Sequence, residues 1–321
     1  MNTISKIFFK TLRRIFKRND EFYWYTTDYV QYKGQAANDL LRDLIKKSSD
    51  GLMVTKFGGF ELTFVVCSML YSKGLTWNDY KHYILCDIDL DKAKTLKGLC
   101  HNAGFFPYNK ELGNKYMQLV LDDIRDIDIL GSYQRQEIYL ENQLGHSIKV
   151  DLDGYYAPFL WSNPWTKELK DKRVLVIHPF TESIKKQYKQ RDKLFEDPDV
   201  LPQFKELILV KAVQSIAGNQ TGFNDWFEAL RYMEREIDKY DFDIALVGCG
   251  AYGMNISAYI KRKGKIAIHL AGWTQMLFGI YGNRWLIDQP EYSKFINRYW
   301  IRPSDSEKPK DANAIESGCY W

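Results

Sequence analysis

Residues 243–284 constrain the fold more than any other stretch, because they read as strand, turn, helix, strand, turn, helix. Asp243-Ile-Ala-Leu-Val247 is an apolar run of strand length, and Gly248-Cys-Gly-Ala-Tyr-Gly253 breaks it with three glycines in G-x-G-x-x-G spacing. Such a turn lets backbone approach a phosphate closely, and a helix over 254–262 points its free N–H groups and positive dipole end at the same spot. Gly264 ends that helix, and Lys265-Ile-Ala-Ile-His-Leu270 supplies the next strand. A dinucleotide site also wants an acid near the end of that strand to hold a ribose hydroxyl. Here the strand runs into His269-Leu-Ala-Gly272, so the turn suits another phosphorylated ligand better than NAD. Glycines that only allow tight packing give the same string.

The alternation extends upstream. Strands are expected over 173–178 and 206–212 and helices over about 183–195 and 224–239, which predicts an α/β fold, a Rossmann-like, mostly parallel sheet flanked by helices. Ligands of such sheets gather at the carboxyl ends of the strands. His178, Gln214, Gly248, Gly250, Tyr252, His269 and Gln275 fall there, and Lys56, Arg191 and Arg284 are candidate cations for a diphosphate. Each histidine reads equally well as a hydrogen-bonded strand-end residue. G-x-S-x-G, H-E-x-x-H and P-loop strings do not occur, so serine hydrolase, zinc protease and P-loop ATPase chemistry have no direct support.

The first half predicts a helix over about 35–47, a turn at 48–51 and a strand over 52–57. Gly58-Gly59 ends that strand, and a helix runs from about Phe60 to Leu70. Glu61 thus sits in the first turn of a helix after a glycine break, facing a ligand or simply complementing the helix dipole. His82-Tyr-Ile-Leu-Cys-Asp-Ile-Asp-Leu-Asp91 ends in alternating acids, where Asp87 and Asp89 make a D-x-D pair of the kind that holds Mg²⁺ or Mn²⁺. The same acids suit a helix N-terminus. The expected divisions are 1–20, a basic amphipathic helix; 21–165, an α/β part; 166–302, the nucleotide-binding part; and 303–321, a tail whose aromatic end is either loose or folded back on a site.

Residues 1–18 hold six Lys or Arg and no acid, with Ile4, Ile7, Phe8, Leu12, Ile15 and Phe16 at helical spacing. That pattern fits a helix lying on an anionic membrane, or one packed on its own body or a partner subunit. The six exceed the whole net charge of +4, so the body is slightly acidic and nucleic acid is not an expected partner. The chain has 22 Tyr, 18 Phe and 9 Trp, rings suited to stacking on bases or sugars. Its five cysteines include no C-x-x-C pair, which points to reduced thiols in a cytoplasmic protein without a zinc site. No apolar run reaches the roughly 18 residues of a membrane span.

Lys56-Phe-Gly58-Gly-Phe-Glu61, with Lys in the place of Arg, resembles the Arg-x-Gly-x-x-Glu motif of bacterial glycosyltransferases of the GT-D fold type, found in capsule, O-antigen and related polysaccharide loci. The resemblance extends over most of residues 50–321, through Asn102-Ala-Gly-Phe-Phe-Pro107, Val174-Leu-Val-Ile-His-Pro-Phe180, Gln187-Tyr188, Arg191, Ala212-Val-Gln-Ser215, Thr274-Gln275, Arg284-Trp285 and Gly318-Cys-Tyr-Trp321. It implies transfer of a sugar from a nucleotide-sugar donor to a glycan acceptor, lipid-linked in the simplest case, by a protein peripheral at the inner face of the cell membrane. Glu61 and His178 are the implied catalytic candidates. Lys56, Gly58, Gln187, Arg191, Gln214, Gly248, Gly250, Tyr252, His269, Gln275 and Arg284 are the implied donor-binding set. Founding members of that fold hold metal and diphosphate with an Asp-x-Glu pair. The Asp position is Gly59 here, which leaves dependence on Mn²⁺ or Mg²⁺ open. The alternatives are an NAD-dependent oxidoreductase and a non-catalytic, nucleotide-sugar-binding member of a polysaccharide assembly complex.

Overall fold

The computed structural model describes residues 3–16, 29–85, 87–309 and 318–321. Lys17, Arg18, Cys86 and 310–317 of the expected tail lie outside them. Seven strands form one sheet: β1 (Leu52–Thr55), β2 (Ile129–Gly131), β3 (Ile148–Val150), β4 (Arg173–His178), β5 (Glu206–Lys211), β6 (Ile244–Val247) and β7 (Ile266–His269). Their order is β3-β2-β1-β7-β6-β4-β5, and every pairing is parallel. The α/β, Rossmann-like expectation holds. The sheet runs unbroken across residue 165, because β1 pairs with β7 through Leu52 and Ile266, Met53 and Ala267, and Val54 and Ile268.

Central strands of a parallel sheet are covered on both faces, so they read as continuous apolar runs. β1, β6 and β7 are buried at every residue. Alternate side chains then feed two cores. Met53, Leu175, Ile177, Ala245, Val247 and Ala267 point into one, with α3 (Gly59–Lys73), α6 (Lys110–Asp123), α10 (Trp226–Ile237) and α11 (Gly253–Arg262). Leu52, Val54, Val174, Val176, Ile244, Leu246 and Ile268 point into the other, with α2 (Gln35–Lys47), α9 (Thr181–Tyr188) and α12 (Trp273–Leu277). Two features depart from the sequence expectation. β2 and β3 were not anticipated, since each is three residues long and shorter than any periodicity can mark. The helix expected to reach 195 stops at Tyr188, where Gln187 turns inward to hold two distant loops.

The amino-terminal helix α1 (Thr3–Phe16) leans on α4 (Trp77–Ile84). Phe9 is buried and stacks on Tyr80 at 4.5 Å, and the Arg13 guanidinium lies 4.6 Å over the Tyr83 ring. Part of the helix therefore packs on its own body. Phe8, Ile15 and Phe16 stay exposed with Lys10 and Arg14, beside an 81% exposed Trp77. Among the described residues no helix is long and apolar enough to cross a membrane. Cys67, Cys100, Cys249 and Cys319 are free thiols.

Candidate functional site

A cavity of about 1010 Å³ opens at the carboxyl ends of β1, β4, β6 and β7. It is lined by Lys56, Gly58 and Glu61 after β1, His178 at the end of β4, Gln214 after β5, Gly248, Gly250 and Tyr252 after β6, and His269, Gln275 and Arg284 from β7 onward. These sequence candidates come from positions more than 200 residues apart, yet strand order brings them into one crevice.

Gly58 is the N-cap of α3 and Glu61 sits in the helix's first turn. A β-carbon built on Gly58 would lie 2.1 Å from Oε2 of Glu61, so the carboxylate is folded back over the glycine. That explains the three-residue spacing: a carboxylate at the third helical position reaches its own N-cap, as in a capping box. The segment is held from the next strand. Tyr133 donates its hydroxyl to the Phe57 carbonyl at 2.7 Å, and Gln134 donates its amide to the same oxygen at 3.4 Å. The Lys56 ammonium lies 5.3 Å over the Tyr133 ring. Glu137 fixes this loop by accepting the backbone N–H groups of Tyr133 at 3.0 Å and Gln134 at 2.9 Å, together with the Ser132 hydroxyl. Burial pushes the Glu137 carboxyl up to about 7.

Both histidines are buried and neutral. Burial lowers His178 to about 3, and burial followed by the Lys56 charge lowers His269 to about 3. The Phe180 N–H donates to His178 Nδ1 at 3.0 Å, so in the neutral ring the proton sits on Nε2. His178 therefore offers the cavity a donor. His269 Nδ1 meets the Thr55 hydroxyl at 2.9 Å, while Nε2 is buried without a protein partner.

These rings also account for two of the three glycines in the turn. A β-carbon on Gly248 would lie 2.7 Å from the His178 ring and 2.6 Å from the Ala271 carbonyl oxygen. One on Gly253 would lie 2.1 Å from His269 Nε2. Gly250 alone takes a left-handed φ of +58°. The packing alternative thus explains the first and third glycines, while Gly248 and Gly250 still form part of the wall.

The end of the chain closes the far side. Gly318–321 returns to the crevice, with Trp321 buried against Phe180 at 6.0 Å and Tyr320 under the Arg284 guanidinium at 4.6 Å. Of the two alternatives for the tail, its described end folds back. Gln275 donates to the Tyr320 carbonyl at 3.2 Å and keeps Oε1 buried without a protein partner. The Trp321 indole N–H and both amide atoms of Gln136 are likewise buried without one, and all three side chains line the cavity. A buried polar group unpaired by protein costs about 1–3 kcal/mol, so these groups around one cavity call for partners that the described protein atoms do not supply.

Two implied donor residues lie elsewhere. Gln187 is fully buried and donates to the Gly279 and Tyr299 carbonyls at 2.8 and 3.0 Å, which makes it a loop clamp. Arg191 lies on the Tyr188 ring and donates to Gln203 at 3.1 Å, outside the cavity lining. Asp87 pairs with His82 at 2.9 Å and Arg135 at 3.4 Å. Asp89 reaches the cavity rim but pairs with Lys94 at 2.6 Å. Among the described residues no group of three or more His, Cys, Asp or Glu is placed to hold a metal ion. Glu61 shares the cavity lining with Lys56 and Arg284. Sequence reasoning missed Gln136 and Tyr133 as wall residues. Their one signal was a polar run, 132–137, directly after the apolar residues of β2.

No family model, curated protein or solved structure matches this chain.

Proposed function

We propose that the chain is a glycosyltransferase that moves a sugar from a nucleotide-sugar donor to a glycan acceptor in bacterial surface polysaccharide synthesis. The observation that carries this reading is the Glu61 carboxylate, held over Gly58, opening into the same large cavity as Lys56 and Arg284. In the reaction the acceptor hydroxyl oxygen bonds to the anomeric carbon of the donor sugar. The bond from that carbon to the phosphate oxygen breaks, and its electron pair leaves on the nucleoside diphosphate. The hydroxyl proton passes to Glu61. Lys56 and Arg284 offset the charge that grows on the leaving group, and His178 donates a hydrogen bond from Nε2.

The mouth of the cavity favours an acceptor held at a membrane. Arg13 of α1 lines that mouth, while the same helix exposes Phe8, Ile15, Lys10 and Arg14. An apolar flank beside basic residues suits the anionic inner face of a cell membrane. The NAD alternative has less to rest on, since β7 ends without an acid and the His269 ring fills the space over Gly253.

A thermal-shift panel of nucleotides and nucleotide-sugars tests the donor site, and the expected result is a rise in Tm with at least one. No rise with any of them would overturn the reading. Glu61→Gln is expected to keep that stabilisation and to lose at least about a hundredfold in transfer rate.

A further inference from the structure

A second cavity, of about 1130 Å³, adjoins the first and shares Lys94, Lys97, His101 and Ser215 with it. None of the sequence candidates for donor binding or catalysis lies in its lining. It is formed between two loops, residues 103–109 and 216–225, that are pinned together at their base. Trp226 donates its N–H to the Phe106 carbonyl at 2.8 Å, and Ser215 donates its hydroxyl to the Gly104 carbonyl. Gly104, at φ +87°, allows this approach, since a β-carbon there would lie 2.9 Å from Ser215 Oγ. Residues of both loops line the cleft.

The two walls differ in chemistry. One carries the rings of Phe106 and Tyr108, with Tyr108 52% exposed, and Phe223 adds a third ring from the other loop. Around Phe223 stand neutral polar side chains, an exposed Gln220 and a half-buried Thr221. Aromatic faces next to amides and hydroxyls are what a pyranose ring needs. Its apolar C–H face lies on the negative face of an aromatic ring, and its hydroxyls exchange hydrogen bonds with groups that both donate and accept. The cleft is larger than the volume one drug-sized ligand fills, which suits several sugar rings in a row. A nucleobase would leave most of it empty.

We propose that this second cleft is the acceptor subsite, a groove that holds sugar rings of the glycan chain. The terminal hydroxyl then passes Lys97 and His101 into the first cavity, toward Glu61. The assignment of the rings as acceptor rests on the glycosyl-transfer reading, but the binding of saccharide by this cleft does not.

Saturation-transfer NMR on the full chain tests it, with the methyl glycosides of glucose, galactose and N-acetylglucosamine as probes and UDP, GDP and CMP in parallel. At least one glycoside is expected to show transfer that falls about fivefold or more in Tyr108→Ala and in Gln220→Ala, while nucleotide signals stay unchanged. Both residues are exposed, so neither change should unfold the protein, and circular dichroism confirms that for each variant. Absence of transfer to every glycoside, or transfer that survives both substitutions, overturns the proposal. So does a loss of nucleotide signal in Tyr108→Ala, which would make the cleft part of the donor site. Glycoside transfer lost in the variants with no nucleotide binding at all supports the saccharide groove while overturning the donor reading.

Discussion

The carboxylate of Glu61 lies over the α-carbon of Gly58, so close that a β-carbon at residue 58 would fall 2.1 Å from Oε2 and 2.4 Å from Oε1. Gly58 has φ −79° and ψ 148°, extended backbone that alanine adopts without strain. The clash in Gly58→Ala is with the far end of one side chain, which can swing away. The variant is thus expected to fold with a Tm close to the parent while its carboxylate sits elsewhere. Since a displacement of about 1 Å at a reacting group costs on the order of a hundredfold, transfer should fall nearly as far as in Glu61→Gln. A Gly58→Ala enzyme with full activity would remove Glu61 from the reaction.

Gly253→Ala should behave in the opposite way. Its β-carbon would fall 2.1 Å from Nε2 of a buried ring whose other nitrogen bonds Thr55. Moving that ring would break its bond to Thr55, so a cost of about 1–3 kcal/mol is expected. Urea unfolding reads it directly. A stability equal to the parent would mean that His269 is free to move, and its fixed place in the wall would be lost.

Acid should destabilise the protein through its two buried histidines. Each has a folded pKa lowered to about 3 from an ordinary value near 6.5. The unfolded chain therefore binds more protons, and the stability they contribute is complete above about 6.5 and drains away as pH falls toward 3. The slope is at most about 1.4 kcal/mol per pH unit for each ring. Glu137 acts with the other sign, since its folded pKa of about 7 makes its contribution largest below about 4.5 and lost as pH rises through 7. His178→Asn keeps an acceptor for the Phe180 N–H and removes one titrating ring. Its stability measured from pH 7 to 4 should slope less than the parent's by about one proton, and equal slopes would show that His178 titrates normally.

At Gly59 the nearest atom to an added β-carbon is Gln134 Oε1, at 3.8 Å, so the wall admits a side chain there. Gly59→Asp would place a second carboxylate two residues from Glu61, the pair that the resembled family uses to hold metal. Millimolar Mn²⁺ is expected to raise the Tm of Gly59→Asp and to leave the parent unchanged. Equal responses from both would mean that the two carboxylates do not converge.

The four apolar runs of the second half were legible as strands because turn residues bound them and three of them, β4, β6 and β7, are buried on both faces. β4, for instance, begins and ends where its apolar pattern does. β2 was not legible, since three residues carry no period, and its position is set by pairing with β1 at Val54 and Ile129. The candidate site was legible wherever a residue stood at a strand's carboxyl end. Gln187 and Arg191 stand a helix beyond such an end; the direction of Gln187 depends on loops around 279 and 299 and that of Arg191 on Gln203, which no local pattern reports. Gln136 was invisible for the converse reason: its place in the wall comes from the buried Glu137 beside it, which folds the loop.

β7 is the last strand in the sequence, yet it lies between β1 and β6 near the middle of the sheet. During synthesis the first three strands and the next three emerge as two pieces, each with a bare edge, and neither can be completed until residue 269 has left the ribosome. Expressed apart, the two halves should be poorly soluble, and mixed they should rescue one another. His269 sits at the tip of that closing strand, so the crevice comes into being in the same step that joins the sheet.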